Sequence, residues 1–249
     1  GTLAGSGKAY EAAFKQSGII RAHTIKNLFE YANTLANQPL PKGKNVVIIT
    51  NAGGPGIMAT DAWEEIGIPL ASLEKKTIEK LKEFLPAAAN FYNPVDVLGD
   101  AGADRYQQTM EVVLKDKSVD AVLVILTPQT TTQPFKTAQA IVEEINNSGT
   151  KVPVITCFMG GGQVQKGIKY LRDHGIPNYE IPETAAETLK IMMDYSDWKK
   201  KKTPKIQKIK ADTKKVKDLF LASKKAGRLE LGEMEARTVL EAYGIDIPQ

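Results

Sequence analysis

The stretch Val46-Val-Ile-Ile-Thr-Asn-Ala-Gly-Gly-Pro-Gly-Ile-Met-Ala-Thr-Asp-Ala62 decides the fold of this chain. Residues 46–50 are a β-branched apolar run, which predicts a buried parallel strand. Apolar residues then recur at helical spacing, which predicts a helix over 56–66. The stretch therefore predicts a strand, a glycine-rich turn and a helix in direct succession.

The glycines of this turn suggest a site for an anion. Glycine lets the backbone turn sharply and approach a ligand without a clash from Cβ, and Pro55 suits the first helical turn, where its missing N–H costs nothing. Free N–H groups at a helix start, together with the helix dipole, favour phosphate or carboxylate. The predicted phosphate-binding residues are Asn51, Ala52, Gly53, Gly54 and Gly56. A tight connection that binds nothing remains the alternative.

The rest of the chain alternates between strand and helix patterns. Further strands are predicted at 19–20, 68–73, 119–126, 152–158 and 176–179, with a short extended segment at 93–97. Further helices are predicted at 7–16, 24–36, 76–85, 99–115, 133–146, from 162 to near 175, 182–195, 216–226 and, together with its cap region, 229–243. This alternation predicts a doubly wound parallel α/β sheet. Ligands of such sheets bind at the carboxyl ends of the strands, where loops 51–56, 93–100 and 160–162 should lie.

Composition narrows the class of protein. The 249 residues suffice for one large domain or two, with 42% hydrophobic and 25% charged residues. The net charge is +4, but 28 of the 33 basic residues are lysines, concentrated at 199–217, which disfavours nucleic-acid binding. The single cysteine, Cys157, excludes an internal disulfide framework. Without a membrane-length apolar run or a signal peptide, we expect a cytoplasmic protein with no membrane partner.

Several other polar residues are open to two interpretations. Asp96 and Asp100 could form a paired-carboxylate site or position Mg²⁺, or Asp96 could fix its own loop while Asp100 caps the next helix. The glycines at 160–162 could form a second anion loop or a flexible turn. His23 and His174 have no neighbours in sequence that indicate a catalytic triad or a metal site, and a surface or capping role is the better interpretation.

Five segments in a fixed order give the chain a family resemblance. It resembles an ADP-forming acyl-CoA synthetase of the superfamily that includes succinyl-CoA synthetase. The matching segments are Gly1-Thr-Leu-Ala-Gly-Ser6 with Tyr10-Glu-Ala-Ala-Phe14, Thr50-Asn-Ala-Gly-Gly-Pro-Gly56, Asn93-Pro-Val-Asp-Val-Leu-Gly-Asp100, Leu126-Thr-Pro-Gln129 and residues 233–245.

The resemblance implies three parts. Residues 1–38 resemble the end of the flavodoxin-like domain that carries a phosphorylated histidine, and residues 43–197 resemble a second flavodoxin-like domain. Residues 198–249 would be a lysine-rich linker and the leading helices of an ATP-grasp region. The histidine would lie two residues before Gly1, so we expect a fragment of a longer polypeptide with no catalytic residue of its own.

The family reaction interconverts acyl-CoA, ADP and phosphate with a carboxylic acid, CoA and ATP, through acyl phosphate and phosphohistidine. The resemblance thus implies CoA, ATP or ADP, phosphate and Mg²⁺ as cofactors of the full enzyme. It also implies CoA-binding and ATP-grasp domains or subunits as partners, an acid substrate and an oligomer. The substrate-loop candidates are Asn93, Asp96, Gly99, Asp100, Gln129, Gly160, Gly161 and Gly162.

A function of a different class stays open. Protein lysine acetyltransferases carry similar domains, so the chain could be a catalytically silent regulatory module of such a fusion. The sequence upstream of Gly1 would discriminate the two, because only the synthetase needs the histidine.

Overall fold

Four parallel strands form the central sheet of the computed structural model, which describes residues 7–201 and 210–247. The strands are β1 (Val46–Thr50), β2 (Val95–Asp96), β3 (Ala121–Leu126) and β4 (Val154–Phe158). They lie in the order β2-β1-β3-β4, and every pairing is parallel. The predicted class, a parallel α/β sheet with helical crossovers, is confirmed.

Ten helices accompany the sheet in the described part of the chain. They are α1 (Gly7–Ser17), α2 (Ile25–Asn37), α3 (Gly53–Glu65), α4 (Lys75–Phe84), α5 (Ala103–Leu114), α6 (Pro134–Ser148), α7 (Gly161–Asp173), α8 (Pro182–Lys200), α9 (Thr213–Lys225) and α10 (Glu233–Ala242). Thr24 caps α2 as predicted, since its Oγ1 accepts the Asn27 N–H at 3.0 Å. No helix within 7–201 or 210–247 is long and apolar enough to cross a membrane.

Helices cover both faces of the sheet. Val47 and Ile49 of β1 point into the core shared with α4 to α7, whereas Val46 and Ile48 point into the core shared with α3 and α8. All four are completely buried, as the two-residue period requires when both faces are covered. Trp63 of α3 is also completely buried. It holds α3 against the sheet and so fixes the position of that helix's start.

The prediction of strands at 68–73 and 176–179 is wrong. Each segment is reduced to one isolated bridge, to β1 and to β4 respectively. Each contains a proline, Pro69 or Pro177, which has no N–H to donate to a sheet ladder. An apolar run alone therefore overstates the strand content at the edges of this sheet.

Other boundaries also shift. The strand predicted at 19–20 is absent from the described structure, because the Ile19 N–H donates to the Phe14 carbonyl at 2.9 Å and helps to end α1. The helix predicted at 182–195 continues to Lys200. The helix predicted with its cap region at 229–243 begins at Glu233, after its N-cap Gly232.

The chain divides into two compact units, one ending at Lys201 and the other beginning at Lys202. The second unit contains α9 and α10, which pack on each other. The predicted three-part division at 38/43 and 197/198 stays a prediction. Part of the predicted lysine-rich linker, at 202–209, lies outside the described residues.

Residues 38–43, at the predicted boundary between the parts 1–38 and 43–197, are bonded to the rest of the first unit. The Gln38 side chain donates to the Gly175 carbonyl at 2.8 Å and accepts the Val154 N–H at 2.9 Å. Ser196 Oγ donates to the Pro41 carbonyl at 2.7 Å. These bonds tie the end of α2 to the sheet and to α8.

Candidate functional site

The helix that follows β1 begins at Gly53, three residues earlier than the sequence predicts. Gly53 and Gly54 are therefore the first two residues of α3, and Ala52 is its N-cap. Gly53, Gly54 and Gly56 all have φ outside the left-handed region. The expectation that they permit a sharp turn is wrong for these three residues, and the argument for them rests on backbone exposure.

The start of α3 offers free hydrogen-bond donors. Thr50 Oγ1 accepts the Ala52 N–H at 3.0 Å, and the Gly56 N–H donates to the Ala52 carbonyl at 3.2 Å. The N–H groups of Gly53 and Gly54 have no acceptor among the described residues. A β-carbon at Gly54 would meet no atom within 4 Å. Two backbone donors thus face open space at a helix N-terminus, which is the arrangement that binds anions.

Asn51 lies immediately before this helix and is 2% exposed. Its Nδ2 donates to the Thr127 carbonyl at 2.8 Å, and its Oδ1 accepts the Thr127 N–H at 2.9 Å. The Thr127 hydroxyl also donates to Oδ1, at 3.3 Å. The side chain predicted to bind phosphate therefore bonds the loop that follows β3.

Asp96 stands at the other side of the α3 start. Its Oδ1 accepts the Leu98 N–H at 2.9 Å, so it fixes its own loop, one of the two interpretations of this residue. Its Oδ2 lies 3.9 Å from the place that a β-carbon of Gly53 would take. An anion bound to α3 must avoid this carboxylate, and the open side is at Gly54.

Asp100 does not cap α5, contrary to one interpretation of the sequence. Gly102 is the N-cap and has no side-chain bond to the helix. Asp100 is exposed and pairs with Arg105 at 2.7 Å, and this hydrogen bond lowers the pKa of the Asp100 carboxyl. Arg105 also donates to the Val97 carbonyl at 2.8 Å. Asp100 and Arg105 together brace the loop between β2 and α5.

Tyr106 anchors the first turn of α5, which follows this loop, to the neighbouring strand β3. It is completely buried and its hydroxyl donates to the Ile125 carbonyl of β3 at 2.8 Å. Burial, with a smaller contribution from Asp96, raises the pKa of Tyr106 well above its usual value. The hydroxyl therefore stays protonated at neutral pH and keeps this bond.

Close packing joins the loops at this edge. A β-carbon at Gly99 would lie 3.6 Å from Gln129 Cγ and 3.8 Å from the Asn51 carbonyl oxygen. Gln129 is exposed, and its backbone N–H donates to Thr132 Oγ1 at 2.9 Å. Three of the loops on which the sequence places candidate residues thus meet beside the start of α3.

The glycines at 160–162 form the start of α7, at the carboxyl end of β4. Gly160 is the N-cap with φ +126°, and Gly161 has φ +47°. A β-carbon at Gly160 would lie 2.5 Å from Pro128 Cγ. Gly160 is therefore required by backbone conformation and by close packing. The N-terminus of α7 is exposed. The interpretation of residues 160–162 as a second anion loop stays a prediction.

Asn93 lies away from this edge. Its Oδ1 accepts the Ile48 N–H at 2.9 Å, and its Nδ2 donates to the carbonyls of Val46 and Ala71 at 2.7 and 3.1 Å. It bonds the middle and the beginning of β1, where it replaces missing ladder bonds. The geometry gives Asn93 a structural role in place of the predicted position on a substrate loop.

The histidines and the cysteine also lie apart from the site. His174 Nδ1 contacts the Tyr170 carbonyl at 2.8 Å, at the C-terminus of α7 as predicted, and His23 is exposed before α2. Cys157 is buried in β4, and burial, with a smaller contribution from Glu183, raises its pKa to about 12. The thiol is therefore protonated and unreactive at neutral pH. Residues 7–201 and 210–247 contain no group of three or more metal-ligating side chains.

The candidate site is an open edge of the sheet. Cavities elsewhere in the first unit include a groove of about 610 Å³ between α1 and α8. Two more, of about 310 and 300 Å³, are lined by residues near Asp116 and near Tyr179. The exposed donors of α3 are thus accessible to a second surface as well as to a ligand.

Comparison with known proteins gives a match over most of the chain. A family model described as the Ligase-CoA domain matches residues 46–201. Acetate–CoA ligase (ADP-forming) I of Archaeoglobus fulgidus is 40% identical over 248 residues, which are 99% of this chain. The 4-hydroxybutyrate–CoA ligase (ADP-forming) of Nitrosopumilus maritimus is 37% identical over the whole chain. The chain spans 35% of the length of each of these two relatives.

A solved structure agrees with the fold. It is the dinucleotide-forming acetyl-coenzyme A synthetase 1 of Ca. Korarchaeum cryptofilum in complex with phosphate and ADP. The TM-score is 0.75 at 34% identity, over 79% of this chain and 42% of that one.

Proposed function

We propose that this chain, which belongs to the Ligase-CoA domain family of ADP-forming acyl-CoA ligases, is the phosphate-handling part of such an enzyme. The full-length protein would interconvert acyl-CoA, ADP and phosphate with a carboxylic acid, CoA and ATP. Phosphate attacks the thioester carbonyl and releases CoA, which gives an acyl phosphate. The phosphoryl group then passes to a histidine, which frees the acid, and from the histidine to ADP.

The observation that carries this proposal is the pair of free N–H groups at the start of α3. Gly53 and Gly54 present neutral donors at the positive end of a helix dipole, beside a carboxyl edge of the sheet. Such donors hold a phosphoryl group without the fixed charge of a lysine or an arginine. The group can therefore leave again, as a reversible two-step transfer requires.

The cofactors of the full enzyme follow from the same premise. Acyl-CoA, ADP and phosphate would react on one side and the acid, CoA and ATP on the other, and Mg²⁺ would accompany the nucleotide. In our proposal the first unit takes only the phosphate part of this set, at α3. Nucleotide and CoA would bind to other domains or subunits of the same enzyme.

The first experiment measures ATP formation from acyl-CoA, ADP and phosphate by the full-length protein and by the 249-residue chain. We expect phosphate-dependent turnover and a phosphohistidine, located by mass spectrometry, in the full-length protein only. The isolated chain should be inactive, because the histidine is expected upstream of Gly1. Robust turnover by the isolated chain would contradict the proposal. A full-length protein without turnover or phosphohistidine would support the regulatory module instead.

Helix α2 supports a further part of the proposal, which concerns assembly. Its apolar residues Ile25, Leu28 and Phe29 are 77%, 56% and 69% exposed, whereas Tyr31 and Thr34 face the core. An amphipathic helix that directs its apolar stripe to solvent lacks a partner for that stripe. We propose that the rest of the phosphohistidine-bearing domain covers it, since the relatives are almost three times as long as this chain.

Replacing Phe29 by serine tests this assembly. In the full-length protein the change should lower the free energy of unfolding by about 2 kcal/mol, because a buried phenyl ring would be lost. In the 249-residue chain the same change should alter it by less than about 0.5 kcal/mol, because the ring is exposed there. Thermal melts of the four proteins give the comparison. Equal small effects in both contexts would leave α2 uncovered and refute the proposed neighbour.

A further inference from the structure

We propose that Asn51 is a positioning residue that locks the start of α3 to the end of β3, and that it is not itself a phosphate ligand. The inference rests on the proposed phosphate site and names what holds that site in place. It also changes the role that the sequence suggests for Asn51, from a direct contact to a support for the contact.

The burial and bonding of Asn51 carry the argument. The side chain is 2% exposed, so little of it could reach an anion at the surface. Its Nδ2 and its Oδ1 bond the carbonyl and the N–H of the same residue, Thr127, at 2.8 and 2.9 Å. These two hydrogen bonds resemble the backbone pairing between neighbouring β-strands and fix the amide in one orientation.

The bonds join two loops that are distant in sequence. Asn51 is one residue after β1 and Thr127 is one residue after β3, and the two are 76 residues apart. Gly53 follows Asn51 by two residues, and its N–H is one of the two free donors. Ala52 lies between Asn51 and Gly53. The Thr50 hydroxyl fixes Ala52, because it donates to the Ala52 carbonyl and accepts the Ala52 N–H. A movement of Asn51 therefore displaces the donors of α3 relative to the sheet.

Asn93 provides a matched control within the same unit. It is also an asparagine whose amide makes three bonds of 2.7 to 3.1 Å, two of them to backbone groups of β1. Those bonds reach Val46 and Ile48, at the beginning and in the middle of β1. The start of α3 lies beyond the other end of the strand. Loss of the Asn93 side chain should therefore destabilise the sheet without moving the phosphate donors of α3.

The experiment compares Asn51→Ala and Asn93→Ala in the full-length enzyme, with KM measured separately for phosphate and for ADP. We expect Asn51→Ala to raise the KM for phosphate on the order of tenfold, because the donors lose their fixed geometry. The KM for ADP should stay within about twofold, since ADP binds elsewhere in our proposal. Asn93→Ala should lower the melting temperature and leave both KM values within about twofold.

A second pair of variants keeps the test valid if Asn51→Ala fails to fold. Asn51→Leu keeps a similar volume and adds no charge but removes both bonds to the Thr127 backbone, and it should raise the phosphate KM similarly. Thr127→Ala removes only the 3.3 Å hydroxyl bond and should change this KM by less than about twofold.

The outcomes separate this inference from the proposed function. If Asn51→Ala or Asn51→Leu changes the phosphate KM no more than Asn93→Ala does, Asn51 is an ordinary structural residue and the inference is wrong. If turnover of the unsubstituted enzyme does not depend on phosphate, the proposed function itself fails. A selective rise in phosphate KM for the Asn51 variants alone supports the inference.

Discussion

Gly54→Val in the full-length enzyme should lower phosphate-dependent turnover by about 10²–10³-fold, because each preorganised donor to a reacting anion is worth that much. The valine side chain would stand beside the two free N–H groups and block the approach of phosphate. A β-carbon there meets no atom within 4 Å, and φ is not in the left-handed region. The fold should therefore accept the change at a cost below about 0.5 kcal/mol.

Gly162→Val is the matched control for this experiment. Gly162 is the second residue of α7, as Gly54 is the second residue of α3, and a β-carbon there also meets no atom within 4 Å. Turnover as a function of phosphate and a thermal melt are measured for both variants. A loss at Gly162 with normal turnover at Gly54 would move the anion site to α7. A loss at Gly54 that is fully matched by unfolding would leave its loop as a mere connection.

The sequence predicts best where a local pattern and its surroundings agree. Residues 46–50 form β1 with the predicted bounds, because the β-branched run is bounded by polar residues and glycines on both sides. Thr24 caps α2 because its hydroxyl reaches the Asn27 N–H within one turn. Both features depend on interactions among residues close in sequence.

The sequence misleads where glycine and proline permit two conformations. The run Gly53-Gly-Pro-Gly56 suggests a turn, yet it is the first turn of α3, where proline is tolerated because the first N–H groups need no helical acceptor. Helix bounds in such a run follow from the packing of Trp63 and its neighbours against the sheet. That packing is not visible in the local pattern.

The hydrogen bonds between Asn51 and Thr127 could not be predicted from local sequence patterns. The two residues are 76 positions apart, and no local pattern pairs one with the other. One signal could have indicated the pair: each directly follows a buried parallel strand, so both must lie at the carboxyl edge of the sheet. That rule places the residues near each other, but only the register of β1 against β3 sets them side by side.

Gly160→Ala should lower the free energy of unfolding by about 3 kcal/mol. Alanine rarely adopts φ +126°, and its β-carbon would lie 2.5 and 2.7 Å from Cγ and Cδ of Pro128. The proline ring is rigid, so the backbone of one loop has to move. Chemical denaturation of the 249-residue chain measures the loss.

Gly162→Ala supplies the contrast, because it adds the same methyl group two residues later, in the open first turn of α7. It should change the free energy of unfolding by less than about 0.5 kcal/mol. The pair decides why glycine stands at 160. If both variants are equally stable, then conformation and packing do not require Gly160, and backbone access for an anion becomes the better explanation. A large loss at 160 alone means that this glycine serves the contact with Pro128, and that its presence is no argument for a second phosphate loop.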